Sequence, residues 1–330
     1  MKKQTVTPTV GLQLGKDFRS GFAAIVGQPN VGKSTLLNQI LGEKIAIISP
    51  KPQTTRDRIV GIKHLPDAQI VFLDTPGIHQ PNSRLNEAMV ETALASLAGV
   101  DVIVFVIDAA WQTSKGPEQI LEGDQRILAH IAAVTRPTVL VLNKVDKIDK
   151  PLLLPAIDIW QKTFPFTAII PTSAASGDGV QELVAAVVEN LSSGPPFYPD
   201  DMVTDRSLRF LMAEVVREKL FLRLGQELPY SLVVEVESWA EEEQRVHIHA
   251  LISVEKDSQK KIVIGKGGGV LKEVGTAARI EMESFLEKKV FLELFVRVDP
   301  QWTSNDRALR RFGYLEGHSG KKSSKKPRGK

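Results

Sequence analysis

Between positions 21 and 191, short apolar runs alternate with stretches whose apolar residues recur every three or four positions. "GFAAIV", "QIVFLD", "DVIVFVID", "TVLVLN" and "TAIIPT" are rich in β-branched side chains and read as buried strands. "SRLNEAMVETALASLA" and "DQRILAHIAAVT" read as helices between them. Strands separated by helices are joined by crossovers, so the pattern predicts an α/β domain with a mostly parallel sheet covered on both faces.

The pattern changes after "SSGPPFYPDD", positions 192–201, whose Pro, Ser and Gly content marks a linker. "DRSLRFLMAEVVREKLFLRL" carries helical periodicity and offers Asp205 as an N-cap. "YSLVVEVESW" and "RVHIHALISVE" alternate with period two and predict an antiparallel pair about the turn at residues 241–243. "KKIVIGKGGGVLKEVGTAARIEMESFL" is helical on both sides of a glycine cluster, and "VFLELFVRV" closes with a strand. The second half is therefore a separate α+β domain. The expected divisions are an N-terminal extension 1–20, a first domain 21–191, a linker 192–204, a second domain 205–315 and a tail 316–330.

The 330 residues include no cysteine, which excludes disulfides, thiolate metal sites and a cysteine nucleophile. The apolar stretch from Gly99 is too short to span a bilayer and carries Asp101 and Asp108, and the first residues lack the core of a signal peptide. The formal net charge of +3 is a property of the end of the chain, because "KKSSKKPRGK" alone contributes about +6. Such a tail is expected to be solvated and drawn to polyanions.

"GQPNVGKST", positions 27–35, follows the first strand and opens a helix. The spacing Gly27-x4-Gly32-Lys33-Ser34 is that of a phosphate-binding loop: its glycines let backbone N–H groups turn toward phosphates, Lys33 reaches the β/γ oxygens and Ser34 can ligate Mg²⁺. Asn30, Val31 and Thr35 complete this candidate set, and the helix N-terminus favours the anion. "LNKVD" ends a later strand with Asn143, Lys144 and Asp146. The Asp146 carboxylate can accept from N1–H and the exocyclic amine of guanine, a donor pair adenine lacks. Ser173 and Ala174 in "TSAASG" follow the next strand, where the Ala174 N–H can meet the guanine carbonyl. In "FLDTPG", Asp74 is the expected outer anchor for Mg²⁺ and the Gly77 N–H can bond a γ-phosphate. Thr55 in "SPKPQTTRDR" completes the metal set with Ser34 and Asp74; Thr54 is the alternative.

This set resembles the translation-factor class of small GTPases, which implies binding of GTP and GDP and slow hydrolysis. Lys33, Thr55, Gly77 and Asn30 are the residues on which hydrolysis would then rest. Ile78 stands where many members carry a glutamine that orients water. Asn30 matches an asparagine that in related GTPases helps hold K⁺; a loop-capping role is the other reading.

"VIGKGGGVLKEV", positions 263–274, carries a GXXG loop between two helices, and the element order around it resembles a type II KH domain. Ile264, Gly265, Lys266, Gly267 and Gly268 would let a single-stranded nucleic-acid backbone approach. Lys260, Lys261, Lys272 and Arg279 are the expected phosphate contacts. A KH domain behind this kind of GTPase domain resembles the Era family, as do "PQTTRDRIVGI", "TDRSLRF", "ELPYS" and "DRALRRFGYLE". The resemblance implies a P-loop GTPase domain with a six-stranded sheet and a cytoplasmic monomer. It further implies binding to the single-stranded 3′ end of small-subunit ribosomal RNA, a role in assembling the small ribosomal subunit, and peripheral contact with the inner membrane. The rivals are a constitutive RNA-binding module with a structural nucleotide and a membrane-attached signalling GTPase. His247 and His249 read as surface histidines, Trp239 and Trp302 as either core or base-stacking, and Lys219 and Arg223 as a solvated helix face.

Overall fold

The computed structural model describes residues 17–116, 119–225 and 228–315. The N-terminal extension lies outside these up to residue 16, as does the tail from residue 316. The described chain forms two compact units: the first comprises the described parts of 1–79 and 92–211, the second those of 80–91 and 212–330.

The first unit is built on strands β1 (Arg19–Val26), β2 (Ile59–His64), β3 (Ala68–Asp74), β4 (Val102–Asp108), β5 (Thr138–Asn143) and β6 (Ala168–Thr172). Their order is β2-β3-β1-β4-β5-β6, parallel except for the antiparallel β2–β3 pair. The expected six-stranded, mostly parallel sheet is present. The apolar runs cover both faces because they are buried on both, as a parallel sheet between helices requires. One face packs against helices α1 (Lys33–Leu41) and α6 (Val180–Glu189) through Ile25, Leu36, Val104 and Leu183. The other, with Ala24, Phe105, Ile127 and Trp160, packs against α4 (Glu122–Ala132) and α5 (Leu153–Thr163). Helix α2 (Arg84–Ala98) lies between β3 and β4 in sequence, and the short α3 (Ala109–Lys115) is capped by the Asp108 carboxylate, which accepts from the Trp111 N–H.

Strand β2 is a sheet edge, and the segment read as a linker covers it. Ile62 N donates to Val203 O at 2.8 Å, and Thr204 Oγ1 donates to Val60 O at 2.6 Å. Gln69 Nε2 reaches Tyr198 O at 2.8 Å. An exposed edge invites pairing with other chains, and the Pro-rich segment closes it.

The second unit contains α7 (Leu208–Arg223) from Met212 onward, β7 (Leu232–Glu241), β8 (Arg245–Val254), α8 (Asp257–Ile264), α9 (Gly269–Leu286), β9 (Lys289–Val298) and α10 (Asp306–Arg311). Strands β7 and β8 are antiparallel and β8 and β9 parallel. Helix α9 buries Val274, Ala278 and Met282, four residues apart, on one stripe. A further cluster joins Leu85 and Met89 to Val233, Trp302, Leu309 and Tyr314.

Three local readings change. Helix α7 starts at Leu208, with the Ser207 hydroxyl accepting from Phe210 N, so Asp205 is not its cap. Trp302 is fully buried and donates from Nε1 to Ser231 O at 2.9 Å, a core residue and no stacking platform. Lys219 and Arg223 are paired: Lys219 with Glu218 and Glu281, and Arg223 Nε with Glu273 at 2.6 Å. They tie α7 to α9.

Candidate nucleotide site and nucleic-acid loop

Sequence neighbours of the parallel strands' carboxyl ends converge on one cavity of about 460 Å³ in the first unit, lined by Pro29, Lys33, Ser34, Thr55, Gly77 and Lys144 among others. The phosphate loop runs from β1 into α1. Lys33 is 6% exposed and its Nζ donates to the carbonyls of Gly27 at 3.1 Å and Gln28 at 2.9 Å, so the ammonium is held over the loop. Burial draws its pKa down to about 8, against the opposing pull of Asp74.

Ser34 Oγ lies 2.7 Å from Thr55 Oγ1 and donates to Asp74 Oδ2 at 2.6 Å. Thr54 Oγ1 faces elsewhere, toward Ser49 Oγ and Lys51 O, each at 2.7 Å. Of the two threonines, Thr55 is therefore the one beside Ser34. Asp74 is fully buried; burial raises its pKa to about 6, with Lys33, Ser34 and the Thr75 N–H pulling the other way. Its second oxygen, Oδ1, has no hydrogen-bond partner among the described residues. A buried carboxylate with an unmatched oxygen, next to two hydroxyls, is a donor set of the hard oxygen type that Mg²⁺ takes.

The loop after β3 meets the phosphate loop closely. Ile78 N donates to Gly27 O at 3.1 Å, and a Cβ on Gly77 would sit 2.7 Å from Pro29 N and Cα. Only glycine permits that approach. Gln53 Nε2 lies 3.3 Å from His79 Nε2, joining the segment before Thr55 to the one after Gly77.

Asn143 is 1% exposed and bonded from both ends of its amide: Nδ2 donates to Val31 O at 2.7 Å and Oδ1 accepts from Ala174 N at 2.9 Å. It binds the phosphate loop to the 173–177 loop. Lys144 Nζ donates to Asn30 O and Asp108 Oδ2, each at 2.6 Å. Asp146 is exposed, and Ser173 and Thr35 are buried and half-buried. The Asn30 side chain donates to Pro50 O at 3.0 Å. Asp108, which fixes Lys144, was not singled out in the sequence; its place at a strand end opposite Asn143 was the available signal.

A second missed contact is Asp124 at the start of α4, 2% exposed and bonded to the side chain of Gln28 in the phosphate loop. Burial, offset by the Gln28 bond and reinforced by Asp108, raises its pKa to about 6. An acid that binds its proton more tightly in the folded state stabilises the fold at low pH. That contribution is lost as pH rises from about 4 through about 6, on the order of 3 kcal/mol in all. Asp124→Asn keeps an acceptor for Gln28 and removes the titration. Its midpoint of thermal unfolding is expected to exceed the wild type's by several degrees at pH 7.5 and to converge with it near pH 4; parallel pH curves would refute the assignment.

In the second unit, a single 3-10 turn at Lys266–Gly268 joins α8 and α9. Lys261, Lys266, Gly267 and Lys272 are exposed, while Ile264, Gly265, Gly268 and Lys260 are half-buried. Arg279 is bonded to Glu283 at 3.1 Å, one helical turn along α9. His249 Nε2 lies 2.7 Å from Glu293, and among the described residues no group of three metal-ligating side chains occurs.

These two sites define the class: a P-loop GTPase domain followed by a KH domain. Family models agree, with "50S ribosome-binding GTPase" matching residues 22–144 and "KH domain" residues 227–303. GTPase Era from Geobacter sp. (strain M21) is 52% identical over 300 residues, 91% of this chain and 99% of the relative. A crystal structure of Era with MgGDPNP and nucleotides 1506–1542 of 16S ribosomal RNA superposes with a TM-score of 0.85 at 43% identity, covering 91% of this chain and all of that one. A variant of Aquifex aeolicus Era bound to GDP·AlF4⁻ gives 0.85 at 42%, with the same coverage. The chain belongs to the Era family of GTPases.

Proposed function

We propose that the protein is a GTP-controlled switch that binds the 3′ end of small-subunit ribosomal RNA during assembly of the small ribosomal subunit. The observation that carries this reading is the likeness, over the whole of that chain, to Era holding a GTP analogue and 16S ribosomal RNA together. The exposed Lys266-Gly267 turn supports it, because a nucleic-acid backbone needs a close approach free of bulky side chains.

In this reading Lys33 and the loop N–H groups hold the β/γ-phosphates, Gly77 donates to the γ-phosphate, and Asp146 with Ala174 reads guanine. Mg²⁺, when bound by Ser34, Thr55 and the outer Asp74, neutralises charge on the phosphates. Asn30 would help hold K⁺, which would add positive charge beside the phosphates; hydrolysis is then expected to be faster in KCl than in NaCl. The segments holding Thr55 and Gly77 respond to the γ-phosphate. The chain passes from the first unit to the second immediately after His79, which gives that response a covalent route to the second unit.

The reading includes a cytoplasmic monomer with a peripheral contact to the inner membrane through the Lys/Arg-rich last ten residues. Among the described residues no helix is long and apolar enough to cross a membrane. The test is the affinity for a short single-stranded RNA of the 16S 3′ end, with the protein loaded with a non-hydrolysable GTP analogue or with GDP. About tenfold tighter binding with the analogue is expected, a coupling free energy of about 1.4 kcal/mol. Equal affinity would leave a constitutive RNA-binding module, and no binding in either state would leave the signalling GTPase.

A further inference from the structure

The first residues of the phosphate loop are a junction. The carbonyls of Gly27 and Gln28 hold the Lys33 ammonium at 3.1 and 2.9 Å, and Gly27 O also accepts from Ile78 N at 3.1 Å. Pro29, next in the chain, is the residue that Gly77 approaches. The lysine and the loop bearing Gly77 are thus both fastened to one short stretch, residues 27–29.

The side chain of Gln28 fastens that stretch to α4. Its amide donates to the Asp124 carboxylate, which is 2% exposed. The Asp124 Oδ1 has no hydrogen-bond partner among the described residues. Burying a carboxylate with an unmatched oxygen is unfavourable to folding, so stability alone does not account for this acid. Gly123, beside it on α4, makes the room. A Cβ built there would lie 2.5 Å from Gln28 Cδ and 2.9 Å from Nε2, so the amide lies directly on the Gly123 backbone. Gly123 is not among the glycines with positive φ, so its backbone would accept alanine; the space is what glycine provides.

We propose that Asp124, Gln28 and Gly123 form a clasp that positions the phosphate loop for GTP hydrolysis. Its members are positioning residues: they act through the backbone of residues 27–29 on Lys33 and Gly77. The inference rests on the roles given above to those two residues. Misplacing groups aimed at the transferring phosphoryl by about 1 Å costs up to about 100-fold in rate. GDP, which lacks the γ-phosphate and is also held through its base, depends less on this alignment.

The test is the single-turnover rate of GTP hydrolysis, measured with GDP affinity and the midpoint of thermal unfolding on the full chain. Gly123→Ala is the central variant. Alanine is the better helix former and only the end of a flexible side chain must move, so the midpoint is expected to hold or rise. Hydrolysis is nonetheless expected to slow at least tenfold, with GDP affinity within threefold of wild type. Gln28→Ala and Asp124→Ala should each show the same loss, and the double variant no more than twofold beyond either, because both break one contact. Asp124→Asn keeps an acceptor for the amide and is expected to recover the rate to within threefold of wild type. A wild-type rate in Gly123→Ala, losses that multiply in the double variant, or GDP affinity falling in step with the rate would overturn the clasp. Lys33→Ala distinguishes the two readings. If it abolishes hydrolysis while Gly123→Ala does not slow it, only the clasp fails; undiminished turnover in Lys33→Ala would overturn the site reading and the clasp with it.

Discussion

Asp146→Asn is expected to weaken GTP binding about 100-fold while leaving the fold intact. The side chain is exposed and lies in the short turn after β5, so no core contact depends on it. In the proposed reading its carboxylate accepts two hydrogen bonds, from the N1–H and the amine of guanine. Asparagine keeps one acceptor and turns a donor toward a donor. Hydrogen bonds to a charged group are worth about 1.5–3 kcal/mol each, so losing one and setting donor against donor in its place costs about 3 kcal/mol, two decades in affinity. Xanthosine triphosphate carries a carbonyl where guanine has its amine, and it should recover binding to the variant. Titration with a fluorescent GTP analogue measures this. Unchanged GTP affinity would remove Asp146 from base reading.

Gly267→Asp is expected to weaken RNA binding at least 30-fold with little loss of stability. Gly267 has φ +59°, and a Cβ built there meets no atom within 4 Å. Aspartate tolerates that conformation better than most residues, at a strain of about 1 kcal/mol. Its charge then stands where backbone phosphates are proposed to pass, and like-charge repulsion with poor desolvation amounts to about 2 kcal/mol. Gly265 behaves differently: an added Cβ lies 2.5 Å from Val270 Cγ2, so Gly265→Ala disrupts the turn itself and reports on folding. Fluorescence anisotropy with the 16S 3′-end RNA separates the two. Full affinity in Gly267→Asp would place the RNA path off this loop.

Much of this architecture is legible in the sequence because the signals are local. A phosphate loop needs its glycines, lysine and serine in consecutive positions, and buried parallel strands show as unbroken apolar runs. Strand β2 was absent from those runs. "IVGIKH" interrupts its apolar residues with Gly61 and ends in polar ones, and its strand state rests on pairing with β3 and on the cover from Val203 and Thr204. The choice between Thr54 and Thr55 depends on a loop backbone in which Gln53 takes φ +58°, which spacing does not encode. The Gln28–Asp124 and Asp108–Lys144 contacts join residues far apart in the chain. Their chemistry appears only once the strand ends are brought together.

The second unit draws Gln80–Glu91 from an early part of the chain, and Leu85 and Met89 complete its cluster with Val233, Leu309 and Tyr314. A fragment cut from Met212 onward would therefore be an incomplete body. It would meet water with an apolar scar where two side chains had been, and weak or aggregating behaviour in such a fragment would say nothing about its affinity for RNA. The same arrangement restricts evolutionary shuffling: this KH module is not a bead that recombination at one junction can move, because part of its interior is written inside the gene's GTPase half.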